Sequence, residues 1–330
     1  MNRDAAPWRE DFRGGSREAE DRLFRAMAQA ISPRPAARPD AAPVGTDRAD
    51  RRLFHAKTAV GITDAALMVD RALPAGLVVG HFRPGAILPA AIRFSNASAI
   101  PQADGVPDMR GLAMRLAIPA GGPHDFVLAN FPTALARNAE QFLALAMAAA
   151  GDWETRLARL ASRIGLWESR RILAHLKASL KLCPSLAHEH FWSASPYLWG
   201  SRPVRFELRP VAGEPPPPIL PAPGDNALRI EFASRIARRS VTYRLALQHY
   251  CDERRTPIED AAVDWRPRAA RPIEIATLVI PRQDISGREG RWALEQIDRL
   301  RFNPWNAPED FRPLGSLNRL RRFFYAAGDQ

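Results

Sequence analysis

The sequence predicts an α+β fold in which about eight antiparallel strands form a β-barrel, with helices inserted between strands and at the C-terminal end. Three observations lead to this prediction. Short apolar runs split by proline and glycine fill residues 55–130, helical periodicity spans about 133–182, and strand-like runs return after residue 202. Eight antiparallel strands can close a barrel, and helices inserted in such a series are typical of an α+β protein.

Eight segments carry the strand prediction. Each is rich in apolar and β-branched residues and is bounded by residues that favour turns. They are AVGITDAALMV (59–69), GLVVGHF (76–82), LPAAIRFS (88–95), RGLAMRLAI (110–118), HDFVLAN (124–130), PVRFELRP (203–210), VTYRLALQHY (241–250) and RPIEIATLVIP (271–281).

Helices are predicted in the insertion at 133–182 and in three later segments, where apolar residues recur every three or four positions. These segments are NALRIEFASRIAR (226–238), WALEQIDRLRF (292–302) and SLNRLRRFFYA (316–326). Residues 1–50 combine polar helix-like pieces with PRPAARPDAAP, whose prolines interrupt regular structure. We therefore expect an N-terminal arm over residues 1–50 and one domain over residues 51–330.

Composition limits the classes of function. The formal net charge is +11, but only three lysines are present and the arginines are scattered, so nucleic-acid binding is not expected as the primary function. No apolar run is long enough to span a membrane. Two cysteines cannot build a disulfide framework and the start MNRDAAPWREDFRGG lacks the apolar stretch of a signal peptide, so we expect a cytoplasmic location.

Two short clusters, HEH (188–190) and HYC (249–251), have the residue types of zinc ligands. Zinc sites seldom take both ligand pairs from such compact clusters without further cysteines, so a zinc site is not predicted. His55 is a more informative histidine, because it precedes the first predicted strand and has Arg52 three residues before it.

Four motifs occur in one order along the N-terminal half: RLFHAK (52–57), IRFSNAS (92–98), PDMRGLAMRL (107–116) and DFVLANFPTALARNAEQF (125–142). In this order they resemble the haem catalases and the smaller catalase-related peroxidases. The segments TPIEDAAVDW (256–265), RPIEIATLVIPRQ (271–283) and FNPWNAPEDFRPLGSLNRLRRFFYAA (302–327) resemble the last barrel strands and the proximal helix of that family. The resemblance covers about residues 50–327 and implies a catalase-like barrel that binds one haem b.

The resemblance assigns the axial ligand of the haem iron to Tyr325, with Arg321 one helical turn before it. The chemistry is consistent with this assignment. A tyrosinate ligand favours ferric iron, and a phenol with a reference pKa of about 10 needs a nearby cation to stay ionised. The i,i+4 spacing of Arg321 and Tyr325 puts both side chains on one helix face.

On the opposite haem face the resemblance implies that His55 moves a proton between the two peroxide oxygens. It also implies that Asn130 hydrogen-bonds the peroxide and that Ser95 orients the imidazole through its other nitrogen. Taken singly, the three residues have simpler interpretations, as a strand-end histidine, a turn residue and a strand-face hydroxyl. Their occurrence in one ordered set favours the catalytic interpretation.

The family resemblance further implies that Phe142 lies near the macrocycle and that Arg52 and Arg93 pair with the haem propionates. Large catalases have another propionate-binding arginine seven residues after the tyrosine, whereas the sequence given stops at Gln330. We therefore expect propionate binding to depend mainly on Arg52 and Arg93.

The sequence thus predicts a haem peroxidase that reduces hydrogen peroxide or organic hydroperoxides with electrons from an external donor. A true catalase and a fatty-acid hydroperoxide isomerase or dehydratase are the enzyme alternatives, because they share these residues. The alternative from another class is a basic binding module on a barrel that has lost haem. The oligomeric state stays open, with a homo-oligomer among the options.

Overall fold

Nine strands and seven α-helices make up the described part of the chain. A computed structural model of the protein describes residues 7–31, 54–118, 121–148, 153–211, 213, 215 and 224–327. The strands are β1 (Thr58–Val69), β2 (Ile87–Asn96), β3 (Arg110–Leu116), β4 (His124–Ala129), β5 (Phe191–Trp192), β6 (Tyr197–Trp199), β7 (Arg202–Pro210), β8 (Val241–His249) and β9 (Ile273–Ile280). The helices are α1 (Arg17–Ile31), α2 (Ala139–Met147), α3 (Trp153–Ile164), α4 (Leu166–Ser179), α5 (Ala227–Ile236), α6 (Arg288–Arg299) and α7 (Ser316–Ala327).

The strands form a closed antiparallel barrel. Their order is β5-β4-β3-β2-β1-β9-β8-β7, and β5 also pairs with β7, so eight strands close on themselves while β6 adds to β7 outside the ring. The predicted eight-stranded α+β barrel is therefore confirmed. Closure leaves no free sheet edge among these eight strands, which removes the usual risk of edge-to-edge association.

One predicted strand is wrong. Residues 76–82 (GLVVGHF) form a 3₁₀ turn that starts after Pro74, followed by a tight bend at Gly80, where φ is +51°. Only Val79 and Phe82 form a bridge. Phe82 is fully buried. The apolar residues of this run are therefore explained by a turn that packs into the core. The eighth strand of the barrel is β5, which was not predicted and has only two residues.

Aromatic side chains fill one region of the core. The ring of Phe94 on β2 lies 5.3 Å from that of Phe232 on α5 and 5.9 Å from that of Phe191 on β5. Each of these residues is fully buried. The helix predicted at 226–238 therefore packs against the barrel next to β5, the strand that closes it. This contact removes the ring of Phe232 from water.

The N-terminal segment is bonded to α7 through a buried arginine. Arg319 is 4% exposed, and its guanidinium lies 2.8 Å from Glu10, 2.9 Å from Glu20 and 3.0 Å from Glu259. Removing a partner from such a buried cluster would leave an uncompensated charge. The arm predicted at residues 1–50 thus contacts the C-terminal helix in its described part, residues 7–31, whereas its predicted end lies outside the described residues.

No helix in the described ranges is both long and apolar enough to cross a membrane.

The half-buried His81 contacts the buried His124, the first residue of β4. His81 Nε2 lies 3.1 Å from His124 Nδ1, and His124, only 1% exposed, packs between the rings of Phe126 and Phe311. Burial lowers the pKa of His81 to about 4. Burial, and then the neighbouring His81, lower the pKa of His124 well below its usual value. Both rings are therefore neutral in the folded protein near neutral pH.

This histidine pair predicts acid sensitivity. Between the ordinary histidine pKa of about 6.5 and the folded value of about 4 for His81, the unfolded chain binds protons that the folded chain rejects, so the free energy of unfolding falls as pH falls. Urea unfolding at pH 7 and pH 5 measures this loss. Replacing both residues, His81→Gln with His124→Phe, should reduce it. An equal loss in the double variant and the wild type would contradict this account.

Candidate functional site

His55 is held in an unusual backbone conformation just before β1. Its φ is +59°, in the left-handed region that non-glycine residues seldom adopt. Three contacts hold it there. The backbone N–H donates to Ala97 O at 3.1 Å, the carbonyl accepts from Arg93 Nη2 at 2.7 Å, and ring Nδ1 lies 3.0 Å from Ser95 Oγ. Strained conformations that the surroundings hold in this way are concentrated at functional sites.

The imidazole of His55 lies against a glycine of β3. Ser95 and Gly111 are direct partners across β2 and β3. A Cβ atom on Gly111 would lie 2.7 Å from His55 Nδ1 and 2.8 Å from Ser95 Oγ. Gly111 was not identified from the sequence, although a glycine inside a strand is a known signal of close approach.

Asn130 lies at the same end of the barrel, immediately after β4. It is 4% exposed, and both ends of its amide have partners. Oδ1 accepts the backbone N–H of Arg110 at 2.7 Å, and Nδ2 donates to Glu189 Oε2 at 2.7 Å. An oxygen must face the N–H and an NH₂ must face the carboxylate, so these two partners fix the orientation of the amide. The second Nδ2–H has no partner among the described residues.

Glu189 and His190, two residues of the HEH cluster, make contacts within the protein. Glu189 bonds Asn130, whereas His190 Nε2 lies 3.0 Å from Glu207 and its ring stacks on Trp192 at 3.7 Å. Within the described ranges, no three His, Cys, Asp or Glu side chains converge as metal ligands would. Glu189 was not identified from the sequence, because its partner Asn130 lies 59 residues away.

Cys183 is a buried thiol that interacts electrostatically with Glu189. Burial, followed by the charge of Glu189, raises the pKa of this thiol well above its usual value. The thiol is therefore protonated, and reactivity as a thiolate is not expected.

Of the two arginines predicted to bind propionates, Arg93 lies within the described residues. Arg93 is 5% exposed, and its Nε donates to Thr58 Oγ1 at 2.8 Å while Nη2 bonds the backbone of His55. Nη2 also lies 3.9 Å from Asp298. Arg52 lies outside the described residues. Arg93 is thus a buried cation that also positions the histidine.

Arg321 and Tyr325 occupy one face of α7, as predicted. Arg321 Nη1 donates to Asn318 Oδ1 at 3.2 Å. Asn318 is fully buried, and its Nδ2 donates to the carbonyl of Pro196 at 3.0 Å. The helix that carries Tyr325 is therefore tied to the segment just before β6.

Tyr197, the next residue, places a second phenol near this pair. It is 1% exposed, and its hydroxyl has no hydrogen-bond partner among the described residues. Burial raises the pKa of Tyr197 to about 12; the positive charge of Arg321 opposes this shift and Tyr325 adds to it. The three side chains are therefore close enough to interact electrostatically. Tyr197 was not identified from the sequence, since its neighbours on α7 are more than 120 residues away in the chain.

Phe142 contacts one aromatic residue next to His55 and another next to Tyr325. Its ring lies 5.9 Å from that of Phe54, which precedes His55, and 5.8 Å from that of Phe324, which precedes Tyr325. Helix α2 thus lies between the chain segment that leads to His55 and the helix that carries Tyr325.

These residues fit the requirements of a haem group. A tyrosine with an arginine one turn away is a suitable donor set for ferric haem iron, and a buried hydroxyl without a partner beside them is a further polar group.

Neither a protein-family model nor a curated protein sequence matches the chain. Solved structures do. A bacterial catalase matches with a TM-score of 0.65 and 16% identity, over 90% of this chain and 63% of the catalase. A fungal catalase matches with a TM-score of 0.63 and 14% identity, over 97% of this chain and 64% of the catalase. The chain has a catalase-like fold and spans a little under two thirds of the length of these catalases.

The close approach at Gly111 predicts a cost for any side chain there. Gly111→Ala should force His55 and Ser95 apart and lower the free energy of unfolding by about 1–3 kcal/mol, the range for overpacking. Gly122→Ala is the matched control, because a Cβ there meets nothing within 4 Å. It should change stability by less than about 0.5 kcal/mol. Urea unfolding of both variants checks this, and equal stability of the two would show that the imidazole does not depend on the glycine.

Proposed function

We propose that the protein is a haem-dependent peroxidase that reduces hydrogen peroxide or organic hydroperoxides. The observation that carries the proposal is the imidazole of His55, bonded through Nδ1 to Ser95 at the barrel end that also holds the amide of Asn130. The catalase-like fold and the Arg321–Tyr325 pair support it. Overall, a peroxide ROOH would be reduced to ROH and water by two electrons and two protons from an external donor.

His55 is the proposed proton carrier. Cleavage of the O–O bond into ROH and water requires that a proton be removed from one peroxide oxygen and delivered to the other. Since Nδ1 contacts Ser95, proton transfer falls to Nε2. The hydroxyl fixes the ring orientation, and the two backbone contacts of His55 hold the ring in place during the transfer.

Asn130 is the proposed donor to the peroxide. Its amide cannot rotate without losing the bond to Arg110 or the bond to Glu189. The second Nδ2–H is therefore preorganised and is buried, where a hydrogen bond is stronger than in water. Glu189 does not need to touch the substrate in this arrangement; it positions Asn130.

The proposed haem ligand is Tyr325. Bound haem b would supply the redox-active iron at which the peroxide binds. Arg321 would stabilise the negative charge of the phenolate, and the hydroxyl of Tyr197 offers a further hydrogen-bond donor to this group. Phe142 would contact the macrocycle, and Arg52 and Arg93 would pair with the propionates.

The remaining assignments follow from the same proposal. Residues 51–330 would form the haem-binding domain, residues 1–50 an arm around it, and the compartment would be the cytoplasm. A true catalase would release oxygen from hydrogen peroxide, and a fatty-acid hydroperoxide isomerase or dehydratase would rearrange its substrate without a donor. A substrate panel that measures oxygen release, donor oxidation and rearranged product separates these activities.

Replacement of His55 tests the proposal. His55→Ala should retain bound haem, since the proposed ligand is Tyr325, and should lose about 10²-fold or more in peroxide turnover, the usual effect of removing a general acid–base. Trp292→Ala is the control, because that side chain is exposed on α6 and should leave both properties unchanged. The haem absorption band and the initial rate of donor oxidation are measured for each. If His55→Ala turns over peroxide at the wild-type rate, another group carries the proton and the proposal is wrong.

A further inference from the structure

Apolar side chains are exposed near both ends of α4. At its N-terminal end the chain turns sharply from α3 at Gly165, where φ is +81°. The next two residues, Leu166 and Trp167, are 47% and 82% exposed. Beyond the C-terminal end, Leu180 and Leu182 are 43% and 58% exposed. An exposed tryptophan beside an exposed leucine is costly in water, because large apolar rings gain most from burial.

Positive charges lie between these apolar ends. Arg170 and Lys177 follow Trp167 at spacings of three and ten residues, so they share its helix face, and both are exposed. Arg163, across the corner on α3, is exposed as well. None of these three cations makes an ion pair within the described ranges. Two of the three lysines in the chain, Lys177 and Lys181, lie in this region.

The same face carries no acidic side chain. The segment 166–182 contains a single acid, Glu168. Its carboxylate lies 2.8 Å from Arg171 and 3.2 Å from Arg137, and it accepts from Gln141 at 3.0 Å. Glu168 therefore belongs to the inner side of α4, and the outer side has only positive charge.

The inner side of α4 is already packed. Leu173 on α4 and Leu160 on α3 are buried in one apolar cluster. The bonds from Glu168 and Arg171 to Gln141 connect α4 to α2. The helix is thus held against the protein by its inner side.

We propose that this outer face of α4, defined by Arg163, Leu166, Trp167, Arg170 and Lys177, binds an anionic phospholipid surface. Tryptophan and leucine partition into the interfacial region of a bilayer, and arginine and lysine are attracted to anionic headgroups. A helix that offers both, with no acid between them, complements such a surface.

A second exposed tryptophan, Trp292, has a different charge environment from that of Trp167. Trp292 on α6 is 57% exposed, but Glu289 and Glu295 lie three residues before and after it, on the same side of the helix, and both are exposed. These carboxylates would be repelled by anionic lipid. Trp292 is therefore a matched control for Trp167. The proposal does not depend on the proposed peroxidase function, since lipid binding requires neither haem nor turnover.

Vesicle flotation of the full chain tests the proposal. The protein should float with vesicles of phosphatidylcholine mixed with phosphatidylglycerol and should stay unbound with phosphatidylcholine alone. Added salt should release it, because the attraction is screened beyond about 8–10 Å at physiological ionic strength. Equal flotation with both vesicle types, or no flotation with either, would overturn the proposal.

Variants locate the binding surface. Arg170→Gln combined with Lys177→Gln should weaken vesicle affinity roughly thirtyfold, if each cation near the membrane contributes its usual share. Trp167→Ala should weaken it on the order of tenfold. Trp292→Ala and Arg282→Gln combined with Arg288→Gln should leave it unchanged. Because all these side chains are exposed, unfolding midpoints should match the wild type.

The same variants distinguish other occupants. A nucleic-acid duplex that binds through Arg170 and Lys177 more tightly than the vesicles, with no contribution from Trp167, would assign the face to nucleic acid. A shift to dimers that Trp167→Ala abolishes in the absence of lipid would assign it to a second copy of the chain. Either result would contradict lipid binding by this face.

Discussion

The candidate site depends on how the barrel closes. Strand β5 has two residues, yet it joins β4 through the pair Ala129–Trp192 and joins β7 through two further pairs. The residue after Ala129 is Asn130, whose amide bonds Glu189 just before β5. The hydrogen bonds that close the sheet and the bond that orients Asn130 are therefore neighbours. Loss of one would weaken the other, because interactions within one network are not independent.

The second half of the proposed site comes from the opposite end of the chain. Helix α7 carries Arg321 and Tyr325, and Arg319 on the same helix is buried among carboxylates from the N-terminal segment and from Glu259. Phe142 contacts residues next to both His55 and Tyr325. The structure thus brings together residues that are far apart in the sequence, and it does so with buried charge and aromatic packing instead of a continuous sheet.

Local patterns in the sequence predicted seven of the eight barrel strands and all three later helices, because alternation and helical spacing persist over many residues. The pairing of His55 with Ser95 was implied by the resemblance to the catalases, and the structure joins the two residues by a hydrogen bond. Local patterns did not find β5, which is too short to have a period, and they turned the buried bend at 76–82 into a strand. Glu189, Gly111 and Tyr197 were missed because each is defined by a partner distant in the chain, and local sequence contains no record of that partner.

The central proposal is that Tyr325 binds a haem group in the site that also contains His55. The most direct measurement is the absorption spectrum of the purified protein after addition of haem, compared between the wild type and Tyr325→Phe. The account predicts a Soret band with the features of high-spin ferric haem in the wild type, and loss or a clear change of that band in the variant. The same spectrum in both proteins, or no haem band in the wild type, would contradict it.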